Sequence, residues 1–142
     1  MEMRAKHIMR EGVFVRPETA VKDVAHKIIS TGLPGLPVIN DTMEVMGIVT
    51  EFNVLGAMRE GFDLEAITAT RIMTTDPITA DIATSANDLI QMMLLNNFTL
   101  IPIVANNKYV GVVSRHIIMD TMLSPFYANF TARERKGPFV CK

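Results

Sequence analysis

The sequence of 142 residues contains no tryptophan, a single cysteine and no marked excess of charge of either sign. The lone Cys141 cannot form an intramolecular disulfide, which favours a reducing compartment, so we expect a cytoplasmic protein. The formal net charge of −1 is unlike the basic excess of nucleic-acid-binding proteins, and we expect no nucleic-acid partner. No apolar run approaches the ~18 residues of a transmembrane helix, and the N-terminus lacks the apolar core of a signal peptide. We therefore expect no membrane partner.

Patterns typical of catalysis and metal binding are also missing. The three histidines His7, His26 and His116 fall one to a predicted element, with no second ligand at metal spacing. No paired acid and base or activated nucleophile stands out, so we expect neither an enzyme nor a metal site. The apolar fraction of 49% is typical of a folded globular chain rather than a disordered one.

What the sequence does contain is an internal repeat. The phrase GIVTEFN at residues 47–53 returns as GVVSRHI at residues 111–117, and a spacing of 64 residues separates both Gly47 from Gly111 and Met9 from Met73. We call residues 47–53 and 111–117 the closing motifs. Repetition at this period predicts two copies of one structural unit. We divide the chain into a first repeat with its lead helix (1–58), a connector (59–69), a second repeat (70–123) and a tail (124–142) whose aromatic residues could pack on the module or on a partner.

Each copy is predicted to run from a short lead helix through β-α-β-β-α. The long helices carry apolar residues at i, i+3, i+4, i+7 and i+8, namely Val21, Val24, Ala25, Ile28 and Ile29 in the first copy and Ala86, Leu89, Ile90, Met93 and Leu94 in the second. Short strands are expected at residues 13–15 and 77–79, a hairpin after each long helix, and a short helix at residues 52–58 and 116–122. Pro37 and Pro102 lie in the first hairpin strands, which predicts an edge strand or a local bend there. At about 60 residues neither copy buries enough apolar surface alone, so the two should pack face to face.

This order of elements and six phrases in register resemble a tandem pair of cystathionine-β-synthase (CBS) domains, the Bateman module. The phrases are HIMREGVFV and RIMTTDPIT, GLPVIND and LIPIVAN, and the two closing motifs. The resemblance implies an α+β fold in which two β-α-β-β-α CBS repeats pack face to face with pseudo-two-fold symmetry. It also implies a regulatory module that binds an adenosyl ligand (AMP, ADP, ATP, NAD or S-adenosylmethionine) between the repeats, forms homodimers and signals to a protein partner. The resemblance implies no required cofactor and allows for a bound adenine nucleotide.

The closing motifs depart from the family pattern at one position. The family motif ends in an aspartate that accepts hydrogen bonds from a ligand's ribose, where this chain has Asn53 and Ile117. Asn53 keeps one carbonyl acceptor, at a cost on the order of 1 kcal/mol in affinity, whereas Ile117 has no polar atom and is expected to pack. Thr50 and Ser114 are expected to cap the following helices, and a helix N-terminus can also bind an anion. Arg115 could grip phosphate, whereas the corresponding Glu51 would repel it.

The resemblance therefore implies two unequal clefts, each built from both repeats. The preferred cleft comprises Thr50, Asn53, Asp76, Pro77, Ile78, Phe98, Thr99, Leu100 and Pro102. Phe98 is expected either to stack on a base or to pack in the core. The second cleft comprises Gly12, Val13, Phe14, Leu33, Pro34, Gly35, Pro37, Ser114, Arg115 and Ile117. Two alternatives remain: a dinucleotide or polyphosphate that spans both clefts, and a dimerisation scaffold whose clefts have decayed.

Overall fold

The computed structural model describes residues 2–124, so the predicted packing of the tail's aromatic residues lies outside the described part of the chain. Its elements are α1 (Ala5–Ile8), α2 (Val21–Thr31), β1 (Gly35–Ile39), β2 (Val45–Thr50), α3 (Glu51–Arg59), α4 (Ala69–Ile72), β3 (Ala80–Asp81), α5 (Ala86–Asn96), β4 (Leu100–Ala105), β5 (Lys108–Ser114) and α6 (Arg115–Leu123). The predicted lead helices, long helices, hairpins and closing helices are all present. Between residues 2 and 124, no helix combines the length and apolar character needed to cross a bilayer.

The hairpins form the centres of two small sheets. Strands β1 and β2 pair antiparallel, and so do β4 and β5, with β3 added parallel to β4. The predicted short strands are shifted or reduced. In the first repeat only Val15 pairs, in a single parallel bridge to Val38. In the second repeat the strand occupies Ala80–Asp81 instead of residues 77–79.

The hairpin prolines explain why these parallel pairings are so short. Val15 N–H donates to the Pro37 carbonyl at 3.0 Å and Ile39 N–H donates to the Val15 carbonyl at 2.9 Å, so the Pro37 backbone faces Val15. Proline has no N–H with which to extend the pairing toward Val13. Pro102 lies in β4, between β3 and β5, so the edge-strand prediction is wrong for the second repeat. In the first repeat β1, which contains Pro37, pairs with β2 and has only the single bridge to Val15 on its other side. The alternative of a local bend is confirmed, because the register shifts one residue after Pro37 and Pro102 alike.

The long helices end at left-handed residues, Gly32 after α2 and Asn97 after α5, as the predicted breaks require. Their apolar stripes are buried over most of their length against the hairpins. The last residue of each stripe is an exception, because Ile29 is 77% exposed and Leu94 is 76% exposed. These two side chains occupy equivalent positions in the two repeats, so the departure from the predicted pattern is symmetric.

The lead helices are exchanged between the two halves. Ala5 and Ile8 of α1 are buried in the second core, the cluster that surrounds Leu89 and Ile101. Ala69 of α4 is buried in the first core, around Val21 and its neighbours. Backbone hydrogen bonds hold the exchange, for instance from Ala5 N–H to the Thr84 carbonyl at 2.7 Å and from Ala69 N–H to the Thr19 carbonyl at 2.9 Å. The two repeats are therefore one packed unit.

After each lead helix the chain runs along a strand of the other repeat. Thr74 forms a two-bond bridge with Ile48 of β2, and Arg10 forms the equivalent bridge with Val112 of β5. Glycine at position 47 permits this approach, because a Cβ there would stand 2.4 Å from the Thr74 carbonyl oxygen. The two bridges set the approach of the repeats and therefore the shape of the space between them.

Candidate functional site

In the first closing motif, Thr50 and Asn53 form hydrogen bonds with each other. Thr50 ends β2 and caps α3, where Asn53 N–H donates to Thr50 Oγ1 at 3.3 Å. In return Asn53 Oδ1 accepts from Thr50 N–H at 2.8 Å and from the Thr50 hydroxyl at 2.9 Å. The backbone N–H can only donate, which sets the amide orientation, and Oδ1 has two lone pairs. The carbonyl that the sequence offers to a ribose is thus already occupied, and the amide NH₂ is the polar group that remains.

The second closing motif is built differently. Ser114 ends β5, is 1% exposed, and caps α6 by accepting from Ile117 N–H at 3.1 Å. Ile117 has no counterpart of the Asn53 carbonyl, and its side chain packs against the first core, as expected. Within residues 2–124 no acceptor takes the Ser114 hydroxyl proton. The Ser114 hydroxyl can therefore donate a hydrogen bond to a ligand, whereas the Thr50 hydroxyl already donates to Asn53 Oδ1.

Arg115 is fixed at the start of α6 by the end of α5. Its Nε donates to the Phe98 carbonyl at 2.7 Å, and Nη2 donates to Asn97 Oδ1 at 2.9 Å. Asn97 is the left-handed residue that terminates α5. Within the described residues Nη1 makes no hydrogen bond. The guanidinium is thereby positioned in advance and keeps donors for an additional acceptor.

A cavity of about 380 Å³ lies between the two repeats at the start of α3 and α6. It is lined by Gly32, Pro34, Glu51, Thr99, Ser114, Arg115, His116 and Met119. It thus gathers Pro34, Ser114 and Arg115 of the second predicted cleft together with Thr99 of the preferred one. Glu51 and Arg115 are equivalent residues, each the first of its helix, so the cavity has a carboxylate at one of these positions and a permanently charged guanidinium at the other.

The remaining residues of the preferred cleft are dispersed. Asp76 and Pro77 line another cavity, of about 360 Å³, beside Glu44 and Asn107 in the hairpin turns. The reason is the antiparallel bridge at Thr74, which carries the chain along β2 away from Thr50. Ile78 is half exposed, whereas Leu100 and Pro102 are buried. Phe98 is half-buried against the second core, and its stacking on a base stays a prediction.

The other residues of the second cleft mostly serve packing. Val13 and Leu33 are buried in the first core, Pro37 is buried in β1, and Gly12 is exposed in a left-handed conformation. A Cβ on Gly35 would stand 2.6 Å from the Val49 carbonyl oxygen and 3.0 Å from Leu100, so Gly35 is needed where the repeats touch. None of these residues lines the cavity between the repeats.

Phe14 is held in an aromatic and cationic cluster that the sequence did not indicate. Its ring meets the Tyr109 ring edge-on at a centroid distance of 5.8 Å, with the Arg16 guanidinium 5.0 Å and the Lys27 ammonium 5.9 Å from its own centroid. The Tyr109 hydroxyl donates to the Val13 carbonyl at 2.5 Å. Burial raises the pKa of Tyr109 well above its usual value. The cluster ties the first repeat to β5 of the second.

An apolar face on the outer helices is a second feature that the sequence pattern did not indicate. One groove of about 370 Å³ runs between α2 and α3, and an equivalent groove of about 400 Å³ runs between α5 and α6. Leu55 in the first groove is 62% exposed, and the equivalent Met119 in the second is 55% exposed. Ile29 and Leu94, at the ends of the helical stripes, line the same two grooves.

Between residues 2 and 124 no three His, Cys, Asp or Glu side chains gather as metal ligands would.

Comparison with known proteins gives the same architecture. The family model described as "CBS domain" matches twice, at residues 5–60 and 69–124. The fold is similar to CBSX2, whose crystal structure is a complex with AMP, at 22% identity and a TM-score of 0.73, covering 85% of this chain and 96% of that one. It is also similar to the CBS domain pair of protein MJ0100 in complex with 5′-methylthioadenosine and S-adenosyl-L-methionine, at 20% identity and a TM-score of 0.75, covering 86% and 97%.

Sequence relatives place such pairs within proteins of several sizes. An uncharacterised protein of Methanocaldococcus jannaschii is 26% identical over 77% of this chain, which spans 39% of that protein. A homoserine O-acetyltransferase of Methanosalsum zhilinae is 26% identical over 71% of this chain, which spans only 20% of the enzyme. An uncharacterised 17.7 kDa protein of Acidianus ambivalens is 29% identical, covering 89% of this chain and 77% of that protein. Since the family model covers both halves, and the exchanged lead helices join them in one fold, the chain belongs to the CBS domain family as a tandem pair.

Proposed function

We propose that this CBS pair is a regulatory module that holds a small adenosyl ligand in the cavity between its repeats and signals its occupancy to a protein partner. The observation that carries the proposal is the cavity of about 380 Å³ that joins the starts of α3 and α6. Its volume lies in the range of small-molecule sites. Complexes of CBSX2 with AMP and of MJ0100 with 5′-methylthioadenosine and S-adenosyl-L-methionine support the ligand class. Catalysis is not part of the proposal.

The cavity beside Ser114 is the better candidate of the two clefts. Ser114 retains a hydroxyl proton, and Arg115 is held in place with a donor to spare. In the first motif Thr50 and Asn53 satisfy each other, so a ligand would have to break that pair before it could use the Asn53 carbonyl. The sequence favours the cleft at Asn53 instead, and the preference is reversed because the Asn53 carbonyl already accepts hydrogen bonds from Thr50.

A ligand in this position would change how the repeats are held together. Pro34 and Glu51 come from the first repeat, whereas Thr99 and Arg115 come from the second. A molecule that contacts both would stabilise one spacing of the repeats over others, which is the requirement for passing occupancy to a partner. The regulated partner is a protein that recognises the outer surface of the module.

The proposal is tested by thermal unfolding of the purified chain with AMP, ADP, ATP, NAD, S-adenosylmethionine and 5′-methylthioadenosine. A ligand present at a hundred times its Kd stabilises the folded state by ~2.7 kcal/mol, which raises the Tm by roughly 5–10 °C for a domain of this size. At least one adenosyl compound should produce such a shift. If none does at millimolar concentration, the chain is a scaffold with decayed clefts and the proposed function is wrong.

Matched variants then decide between the clefts. Arg115→Ala should weaken ligand binding in a calorimetric titration, whereas Asn53→Ala should change the Kd little while lowering stability through its cap. Both variants remove a polar side chain from an equivalent region of the two repeats. A larger loss of affinity in Asn53→Ala would assign the ligand to the first closing motif instead.

We propose further that the chain forms a homodimer through its apolar helical face. The grooves at Leu55 and Met119 are equivalent in the two repeats, so a second copy would offer apolar surface to both grooves at once. Leu55→Glu should convert the protein to a monomer in sedimentation velocity. Met46→Glu, which adds the same charge on the exposed side of β2, should leave the dimer intact. A wild-type chain that sediments as a monomer at all concentrations would contradict this assignment.

A further inference from the structure

We infer that the adenosyl ligand carries an α-amino acid rather than a phosphate at its 5′ end, as in S-adenosylmethionine and S-adenosylhomocysteine. This inference rests on the proposed function and concerns the same cavity. The feature that carries it is the pair formed by Glu51 and Arg115, which place one negative and one positive charge in a single space between the repeats.

Both charges are available to a ligand. Within residues 2–124 the Glu51 carboxylate has no cation and no hydrogen-bond donor as a partner. Glu51 and Arg115 do not pair with each other either, since no ion pair joins them among the described residues. The Arg115 guanidinium is anchored to Phe98 and Asn97 through Nε and Nη2, which leaves Nη1 for an acceptor. A ligand with separate ammonium and carboxylate groups satisfies both residues at once.

A phosphate suits this cavity less well. A phosphomonoester carries about −1.5 to −2 charges at neutral pH, and it would gain Arg115 while standing close to the unpaired Glu51. The exposed Glu51 carboxylate would oppose this like charge. An amino acid instead places its carboxylate at Arg115 and its ammonium at Glu51. The neutral 5′-methylthioadenosine has no charged group and would form an ion pair with neither Arg115 nor Glu51.

The equivalence of the two positions strengthens the assignment. Glu51 and Arg115 each follow a capping hydroxyl residue and begin a helix. If the two repeats had the same residue at this position, both side chains would bring charge of the same sign to the cavity. A cation is also unfavourable at a helix N-terminus, so its presence there is not explained by the stability of α6 alone. The opposite charges of the pair therefore distinguish two ends of one ligand.

Calorimetric titration of the full chain with S-adenosylhomocysteine, AMP and 5′-methylthioadenosine tests the inference. S-adenosylhomocysteine should bind about fivefold more tightly than 5′-methylthioadenosine, in proportion to what an exposed ion pair contributes, and more tightly than AMP. Tighter binding of AMP would overturn the inference and leave the proposed function standing. Absence of binding by all three would overturn the inference, and the proposed function would fall with it only if ADP, ATP, NAD and S-adenosylmethionine also fail to bind.

Substitution of the acid provides an independent readout. Glu51→Gln should weaken S-adenosylhomocysteine binding about fivefold and should strengthen or preserve AMP binding, so the ratio of the two affinities shifts. Asp41→Asn removes the same charge from an exposed hairpin turn and should leave the ratio unchanged. If Glu51→Gln and Asp41→Asn give the same affinity ratio as the wild type, Glu51 does not contact the ligand and the inference is overturned.

Discussion

Gly47 is the residue where a single added carbon should do the most damage to the contact between the repeats. A Cβ at this position would stand 2.4 Å from the carbonyl oxygen of Thr74 and 2.9 Å from the sulfur of Met73. The Thr74 backbone would have to retreat by about 1 Å to restore an ordinary contact distance. That backbone is held by Ile48, whose N–H and carbonyl both bond to Thr74, at 3.1 and 2.9 Å.

The magnitude follows from these contacts. The two backbone hydrogen bonds contribute about 1 kcal/mol each, and overpacking strain adds about 1–3 kcal/mol. Alanine also offsets about 0.4–1 kcal/mol of this loss of stability, because it lowers the conformational entropy of the unfolded chain. Gly47 has no left-handed conformation that alanine would strain. Gly47→Ala should therefore lower the free energy of unfolding by about 3 kcal/mol.

The equivalent Gly111 is the natural control. A Cβ there would stand 2.8 Å from the Met9 side chain and 3.1 Å from the Arg10 carbonyl oxygen. The Met9 side chain is flexible and can swing aside, so Gly111→Ala should cost about 1 kcal/mol or less. Urea denaturation of both variants at one protein concentration, followed by circular dichroism, measures the difference. If Gly47→Ala is no less stable than Gly111→Ala, the rigid contact at Thr74 does not govern the approach of the repeats.

Three further outcomes are expected. Tyr109→Phe removes the hydrogen bond to the Val13 carbonyl and should lower the free energy of unfolding, measured by urea denaturation, by about 1 kcal/mol. Burial raises the pKa of Tyr109, so the wild type should lose stability as the pH rises above about 10, and an equal slope in Tyr109→Phe would contradict this. Asn53→Asp should gain about 0.3–1 kcal/mol at the α3 N-terminus, and a lower Tm would refute the cap geometry. Ile117→Asp should cost about 2 kcal/mol because its side chain packs on the first core, and an unchanged Tm would show that the contact is dispensable.

The local elements were predictable because their signals are local. Gly32 and Asn97 end the long helices in left-handed conformations, and Thr50 and Ser114 cap the closing helices where the sequence places them. Ile117 packs because it has no polar atom to do otherwise. These outcomes depend on one residue and its near neighbours, so a pattern is enough to predict them.

The features that join the repeats were not predictable in the same way. Ala5 and Ile8 mark a helix with an apolar side, but their spacing says nothing about which core receives it. Ile29 continues a helical stripe, and periodicity cannot tell a side chain that faces the core from one that faces an outer groove. The Asn53 carbonyl differs from these features, because its competing donor, Thr50 N–H, lies only three residues away in a reciprocal cap that a ribose-binding interpretation overlooks.

The residues that the second repeat contributes to the first core also determine when this chain can fold as it is synthesised. The first core includes Ala69 from α4, Leu100 from β4 and Val112 from β5, so the first repeat emerges from the ribosome without part of its interior. At about 5–20 residues per second, the remaining residues follow several seconds later. During that interval the nascent first repeat exposes apolar surface. The last strand to appear therefore completes the first repeat as well as the second.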